Sequence, residues 1–260
     1  MEQAAAQWWT ANAVVFFLVL CRVGSLVMVA PMFSSVSIPG QLKAGFAGVV
    51  SLVIVPMVRP AGVVVPVEVV GLTAAALGEI LIGLTLGFGA AIVFAGIEMG
   101  GTLISRHMGT ALANVFNPLF SSSSPALGQF YSFLALIVFL GMNGHHGLLR
   151  ILVGTFDDVP LMQAGLQGPA MTRVVLMLGD AYVIAFKVAA PVMVSLLLVT
   201  VALGFIARTV PQMEVLIAGF PLNVGLGLVV AAVTLGAMAV FFQRTFEQML
   251  VVLSRLFAAA

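Results

Sequence analysis

Residues 67–107 read VEVVGLTAAALGEILIGLTLGFGAAIVFAGIEMGGTLISRH, an apolar run whose interior charges are Glu79 and Glu98 alone. A straight helix of about 40 residues is roughly 60 Å long at 1.5 Å per residue. The hydrocarbon core of a bilayer is only about 30 Å thick. The run is therefore two crossings, a broken helix, or a helix that leaves the bilayer and packs on protein. Two glycine pairs one turn apart, Gly83 with Gly87 and Gly96 with Gly100, let helix backbones approach closely. Such helices are built to touch protein, within the chain or between chains.

The rest of the chain repeats this pattern. Apolar runs cover residues 12–33, 42–58 and 126–142, each suited to one crossing. Two further runs, 170–207 and 213–257, are as over-long as the first. Pro191 marks a possible kink in one, and Pro221-Leu222-Asn223 with Gly225 and Gly227 a bend in the other. A short helix is expected over 148–156, before an acidic turn at Asp157-Asp158. Punctuation elsewhere is brief: Ser34 to Pro39, Arg59-Pro60, and the irregular stretch 108–125 with four serines, Ser121 to Ser124. The expectation is an all-α, integral-membrane-type protein forming one unit over 1–260.

Composition agrees. Hydrophobic residues make up 62% of the chain and charged residues 7%, against about 45–50% and about 25% in soluble domains. So few charges cannot cover a water-facing surface, which excludes a soluble monomer. A net charge of +1 gives no electrostatic case for nucleic acid. Cys21, the one cysteine, leaves no disulfide framework or thiolate metal cluster. Trp8 and Trp9 precede the first run, where indoles suit a membrane interface. No Lys or Arg precedes Arg22, so that run is expected to stay in the mature protein. The ten basic residues are spread almost evenly, and the positive-inside rule gives no orientation.

Glu79, Glu98, Asp180 and Lys187 lie within or at the shoulders of apolar runs, where ionisable groups are expensive and mark function. One reading is an ion or proton relay; the other is pairing with a neighbouring helix. Asp180 and Lys187, seven apart, share a helix face but stand about 10 Å apart along it. His145 and His146 follow Asn143-Gly144, a turn signal. As neighbours on a helix they point about 100° apart and do not chelate as an i, i+4 pair does. A structural corner is the expectation, with no metal and no cofactor. Enzyme signatures are absent: no H-E-x-x-H, nucleophile elbow or phosphate-binding glycine loop. An aspartyl dyad needs two membrane aspartates, and Asp180 is the only one inside a long run.

The irregular stretch carries Met108, Gly109, Leu112, Asn114, Val115, Phe116, Asn117, Pro118 and Phe120. Non-helical backbone among membrane helices is tolerated where it is buried in protein or lines a cavity. Flexible Met and bulky apolar groups there could block a pore and yield; a surface loop is the alternative.

At these residues the chain resembles a known family. Met108-Gly109 followed by Ala113-Asn114-Val115-Phe116-Asn117-Pro118 is similar to the central loop of the FliR family of flagellar type III export-gate proteins. Asn143-Gly144-His145-His146-Gly147, running on to Thr155-Phe156 and Pro160, resembles its second signature. Arg208-Thr209-Val210-Pro211-Gln212-Met213 with Gly219-Phe220-Pro221-Leu222 resembles its third. Arg22-Val23-Gly24, Ala30-Pro31 and Ile38-Pro39 also fit, and Asn117 stands where an aspartate is frequent. The resemblance implies broken helical hairpins in a helical assembly at the centre of the flagellar basal body. It implies FliP-like, FliQ-like and FlhB-like partners in the bacterial inner membrane, and exported flagellar subunits in transit. The gate would stand partly outside the lipid on the periplasmic side. It also implies that the loop plugs the closed channel, with Leu112, Val115 and Phe116 as plugging side chains. A paralogous virulence-secretion subunit, and a small-solute transporter using Asp180, Lys187 and Glu79, are the alternatives.

Overall fold

The computed structural model describes residues 2–33, 38–58, 69–110, 126–162, 168–209 and 215–258. Seven helices account for the regular structure there: α1 Glu2–Val29, α2 Gly40–Ile54, α3 Val69–His107, α4 Ala126–Gly141, α5 Gly144–Asp158, α6 Gly168–Thr209 and α7 Val215–Ala258. All of it is helical because a backbone in apolar surroundings must satisfy its own N–H and C=O groups.

The three long runs are single helices of 39, 42 and 44 residues. Two crossings joined by a turn are thereby excluded for each. Pro191 and Pro221 lie inside α6 and α7 without ending them. Four helices are long and apolar enough to cross a membrane, or five spans if α4 and α5 form one broken span.

The chain folds as two compact units. The first comprises Met1–Ile92, Asn143–Met177 and Glu247–Ala260. Here α3 lies directly on α1. A Cβ added at Gly83 would fall 2.1 Å from the Arg22 carbonyl oxygen and 2.0 Å from Ser25 Oγ, and one at Gly87 would fall 2.9 Å from Val29 Cβ. Only hydrogen fits between the helices at Gly83. Gly89 of α3 and Gly147 of α5 receive Leu253 and Leu250 of α7, and the rings of Phe33 and Phe46 stack at 4.8 Å across the α1–α2 corner.

The second unit comprises Val93–Met142 and Leu178–Phe246. Gly96 and Gly100 of α3 seat Ala181, Ile184, Ala185 and Val188 of α6, while Gly101 meets the α4 backbone at Leu127. Phe94, Phe139 and Phe246 form a three-ring cluster, with centroids 4.9 to 5.5 Å apart, that joins α3, α4 and α7. Both glycine pairs of α3 thus pack against helices of the same chain.

At the α4–α5 junction, Asn143 takes a left-handed conformation (φ 57°) and its carbonyl accepts the N–H groups of His146 and Gly147. Asparagine tolerates that region better than most residues. The helix then starts at Gly144, four residues before the expected Leu148, so His145 and His146 occupy its first turn, directly after the corner at Asn143. Asp157 and Asp158 close the same helix instead of forming a separate turn.

Candidate functional site

The most polar point of the first unit is deep inside it. Arg22 of α1 and Glu79 of α3 are both 0% exposed, and Arg22 Nε donates to Glu79 Oε2 at 2.5 Å. The remaining donors of the guanidinium reach the end of α5. Nη1 donates to the Thr155 carbonyl (2.9 Å) and hydroxyl oxygen (3.1 Å), and Nη2 to the Val159 carbonyl (3.1 Å). The Phe156 ring lies 4.2 Å from Cζ, in cation–π geometry. Glu79 Oε1 in turn accepts the backbone N–H of Met162, a residue at φ 68°. The hydroxyl of Thr155 itself donates to the Leu152 carbonyl at 2.6 Å.

This knot depends on local sequence. Arginine offers a planar fork of donors, so one side chain can serve a carboxylate and a helix C-terminus together. The last carbonyls of a helix lack intrahelical partners and carry partial negative charge, and Arg22 supplies both hydrogen bonds and compensating charge. Gly83, one turn beyond Glu79, lets α1 and α3 approach closely enough for the pair to meet.

The other intramembrane candidates are placed differently. Glu98 of α3 is half-buried, its Cγ near Gly128 of α4. Asp180 and Lys187 are exposed on α6. In the signature segments, Asn143 and Gly144 make the α4–α5 junction. His145 and His146 lie ring to ring at 4.1 Å, and His145 Nδ1 is buried without a hydrogen-bond partner among the described residues. No group of three or more metal-ligating side chains occurs among the described residues. Arg208 sits in the last turn of α6, where its charge complements the helix dipole. Gly219 of α7 is buried near Leu203 of α6, and Pro221 is exposed. Pro211 and Gln212 lie outside the described residues.

Met108 and Gly109 form the start of the irregular segment. α3 ends in a Schellman motif: Thr110 N–H donates to the Ser105 carbonyl (3.2 Å) and Gly109 N–H to that of Arg106 (3.1 Å). Gly109, at φ 80°, supplies the left-handed residue this motif needs. Met108 is 1% exposed. Leu112, Asn114, Val115, Phe116, Asn117, Pro118 and Phe120 lie outside the described residues.

Residues 13–249 match the profile of bacterial export proteins, family 1. The chain belongs to that family. It is 31% identical to the flagellar biosynthetic protein FliR of Escherichia coli (strain K12) over 95% of its own length and 94% of that relative's. It is 30% identical to FliR of Bacillus subtilis (strain 168), over 89% and 90% of the two chains. With FliR of Caulobacter vibrioides it shares 28% identity over 90% and 93%. Within the family it is thus a FliR-like protein of flagellar export, a membrane-associated component with several apolar helices.

In the sequence Arg22, Glu79 and Thr155-Phe156 stand apart, and nothing there joins them. Their separations, 57 and 133 residues, carry no periodic signal. The available signal was charge: a buried arginine and glutamate in two apolar runs need partners, and each is the most economical partner for the other.

Proposed function

We propose that this chain is a gate subunit at the centre of the flagellar basal body, working through residues 1–260 as one export-gate domain. It assembles with FliP-like and FliQ-like subunits, associates with an FlhB-like protein, and passes exported flagellar subunits without catalysing any covalent step. The gate sits in the inner membrane, with part of it outside the lipid on the periplasmic side.

The observation that carries this reading is the pairing of family membership with helices of 39, 42 and 44 residues. Helices of about 60 Å overshoot a bilayer twofold, as an element standing partly on partner subunits must. In α6 and α7 only 17% of the most apolar window is buried within the chain, against 67% in α3. α3 is largely buried within the chain, whereas α6 and α7 keep their apolar surface for lipid and neighbouring subunits. Residues 108–125 serve as the plug, with Leu112, Val115 and Phe116 filling the closed channel.

Two measurements test this. The tagged chain should co-purify with FliP-like and FliQ-like subunits, and a stable lone subunit active on its own in liposomes would refute the assembly. Deleting residues 112–116 should raise ion leak through the assembled gate, and an unchanged leak would remove the plug assignment.

A further inference from the structure

Met108 does not simply end α3. It closes over a single residue of α7. A Cβ added at Gly227 would lie 2.7 Å from Cγ, 2.9 Å from Cε and 3.0 Å from Sδ of Met108, so the whole thioether arm lies in the space a side chain at 227 would take. Gly227 is buried, and Met108 is 1% exposed. Gly225, two residues away, has nothing within 4 Å of an added Cβ and is exposed. The contact is specific to one glycine, and is not a general property of a glycine-rich stretch.

A second constraint acts on the two residues that follow Met108. The Schellman bonds of Gly109 and Thr110, with the Thr110 hydroxyl donating to the Ser105 carbonyl at 2.9 Å, fix the backbone as it leaves α3. The start of α4 is tied to that helix as well. A Cβ on Gly101 would fall 2.7 Å from the Leu127 carbonyl oxygen, and one on Gly128 would fall 2.8 Å from Thr102 Oγ1. The described residues on either side of 111–125 are therefore both clamped to the last two turns of α3, and Met108 in its Gly227 seat ties this point to α7.

We infer that Gly227 is a positioning residue of the gate: by seating Met108 it sets where the chain departs from α3 towards residues 111–125. This rests on the plug reading above, and extends it to a residue on another helix. A β-branched side chain at 227 must displace Met108 at Cγ, close to its backbone, where the flexibility of the thioether gives little relief. A smaller residue at 108 vacates the same volume.

The test compares G227V, G227A, G225V, M108A and the double variant M108A/G227V in cells carrying the full gate. Ion leak is read per assembled gate, quantified by capture through the FliP-like subunit. G227V should raise the leak several-fold, G227A less, and G225V not at all. M108A/G227V should return towards the parental leak, a rescue that an effect arising away from the Met108 contact would not show. If G227V lowers gate abundance too far to measure, G227A and the double variant carry the comparison. A parental leak in G227V or G227A, alongside a raised leak on deleting 112–116, overturns the seat and leaves the plug standing. A raised leak in G227V that M108A fails to rescue also overturns it. A parental leak in the deletion overturns the plug instead, and a cysteine pair at 108 and 227 in a Cys21→Ser background then reports the seat alone, by whether it cross-links.

Discussion

Removing the guanidinium of Arg22 should be among the most damaging single changes in the first unit. Arg22→Ala leaves Glu79 at zero exposure with only the Met162 N–H to face it. Breaking a buried pair from one side costs about 3–5 kcal/mol. The Val159 carbonyl loses its Arg22 donor too, at about 1–3 kcal/mol if water cannot reach it, while the Thr155 carbonyl keeps the Val159 N–H. Taking only the lower figure of 3 kcal/mol, the folded fraction falls relative to the unfolded by on the order of a hundredfold. Glu79→Ala should match it, because it strands the arginine. Arg22→Met with Glu79→Leu strands no charge, and replacing a whole buried pair by apolar groups is often neutral or better. The double variant should therefore recover most of the loss from either single change. Arg22→Lys should recover little, since one ammonium cannot span four acceptors on two helices. The assay is pulse proteolysis of the detergent-purified gate along a denaturant series, read as a double-mutant cycle. Single variants within about 1 kcal/mol of the parent, or strictly additive effects in the double, would show that the two side chains are not coupled as the 2.5 Å contact requires.

Three further outcomes follow from individual contacts. Gly83→Ala should destabilise by about 1–3 kcal/mol or more through overpacking, because its Cβ would lie 2.0 Å from Ser25 Oγ. Gly24→Ala, with nothing within 4 Å, should be neutral or stabilising by about 0.5–1 kcal/mol, and equal effects in the same proteolysis assay would contradict the close approach of α1 and α3. Gly109→Ala places a Cβ at φ 80° and should cost about 1–2 kcal/mol, with Gly109→Asn milder; swimming-halo diameter and gate abundance should fall in that order. Phe246→Ala opens the three-ring cluster of the second unit and should cost about 3–5 kcal/mol, measurable as a loss of captured gate that Phe246→Leu largely restores.

Much of the fold was legible because its signals are local. Apolar runs located the helices, and Asn143-Gly144 located the α4–α5 junction. The unusual length of 67–107, 170–207 and 213–257 left open two crossings, a broken helix or a helix that leaves the bilayer. The single helices of 39, 42 and 44 residues decide against two crossings. Boundaries slipped where tertiary contacts decide them. α5 begins at Gly144 because the Asn143 carbonyl caps its first N–H groups, and it continues to Asp158 because Arg22 holds its end. Neither partner is visible in the hydrophobic pattern of residues 148–156. Gly227 illustrates the other failure. In sequence it read as a bend beside Pro221, whereas its place is fixed by Met108, more than a hundred residues away.

The buried charges change what the sequence motifs mean together. Arg22-Val23-Gly24, Glu79 and Thr155-Phe156 looked like separate signatures, one of them open to a proton-relay role. In the fold they are one knot, and its geometry argues against a relay. Among the described residues, the hydrogen-bond acceptors of Arg22 are all oxygens of this chain, at 2.5 to 3.1 Å. Phe156 covers the cation, and Glu79 divides its two oxygens between Arg22 and a backbone N–H. A relay group must exchange partners as the proton moves, whereas these groups lock α1, α3 and the end of α5 to one another. The functional weight shifts accordingly to the second unit, where α3 ends and Met108 is seated against Gly227.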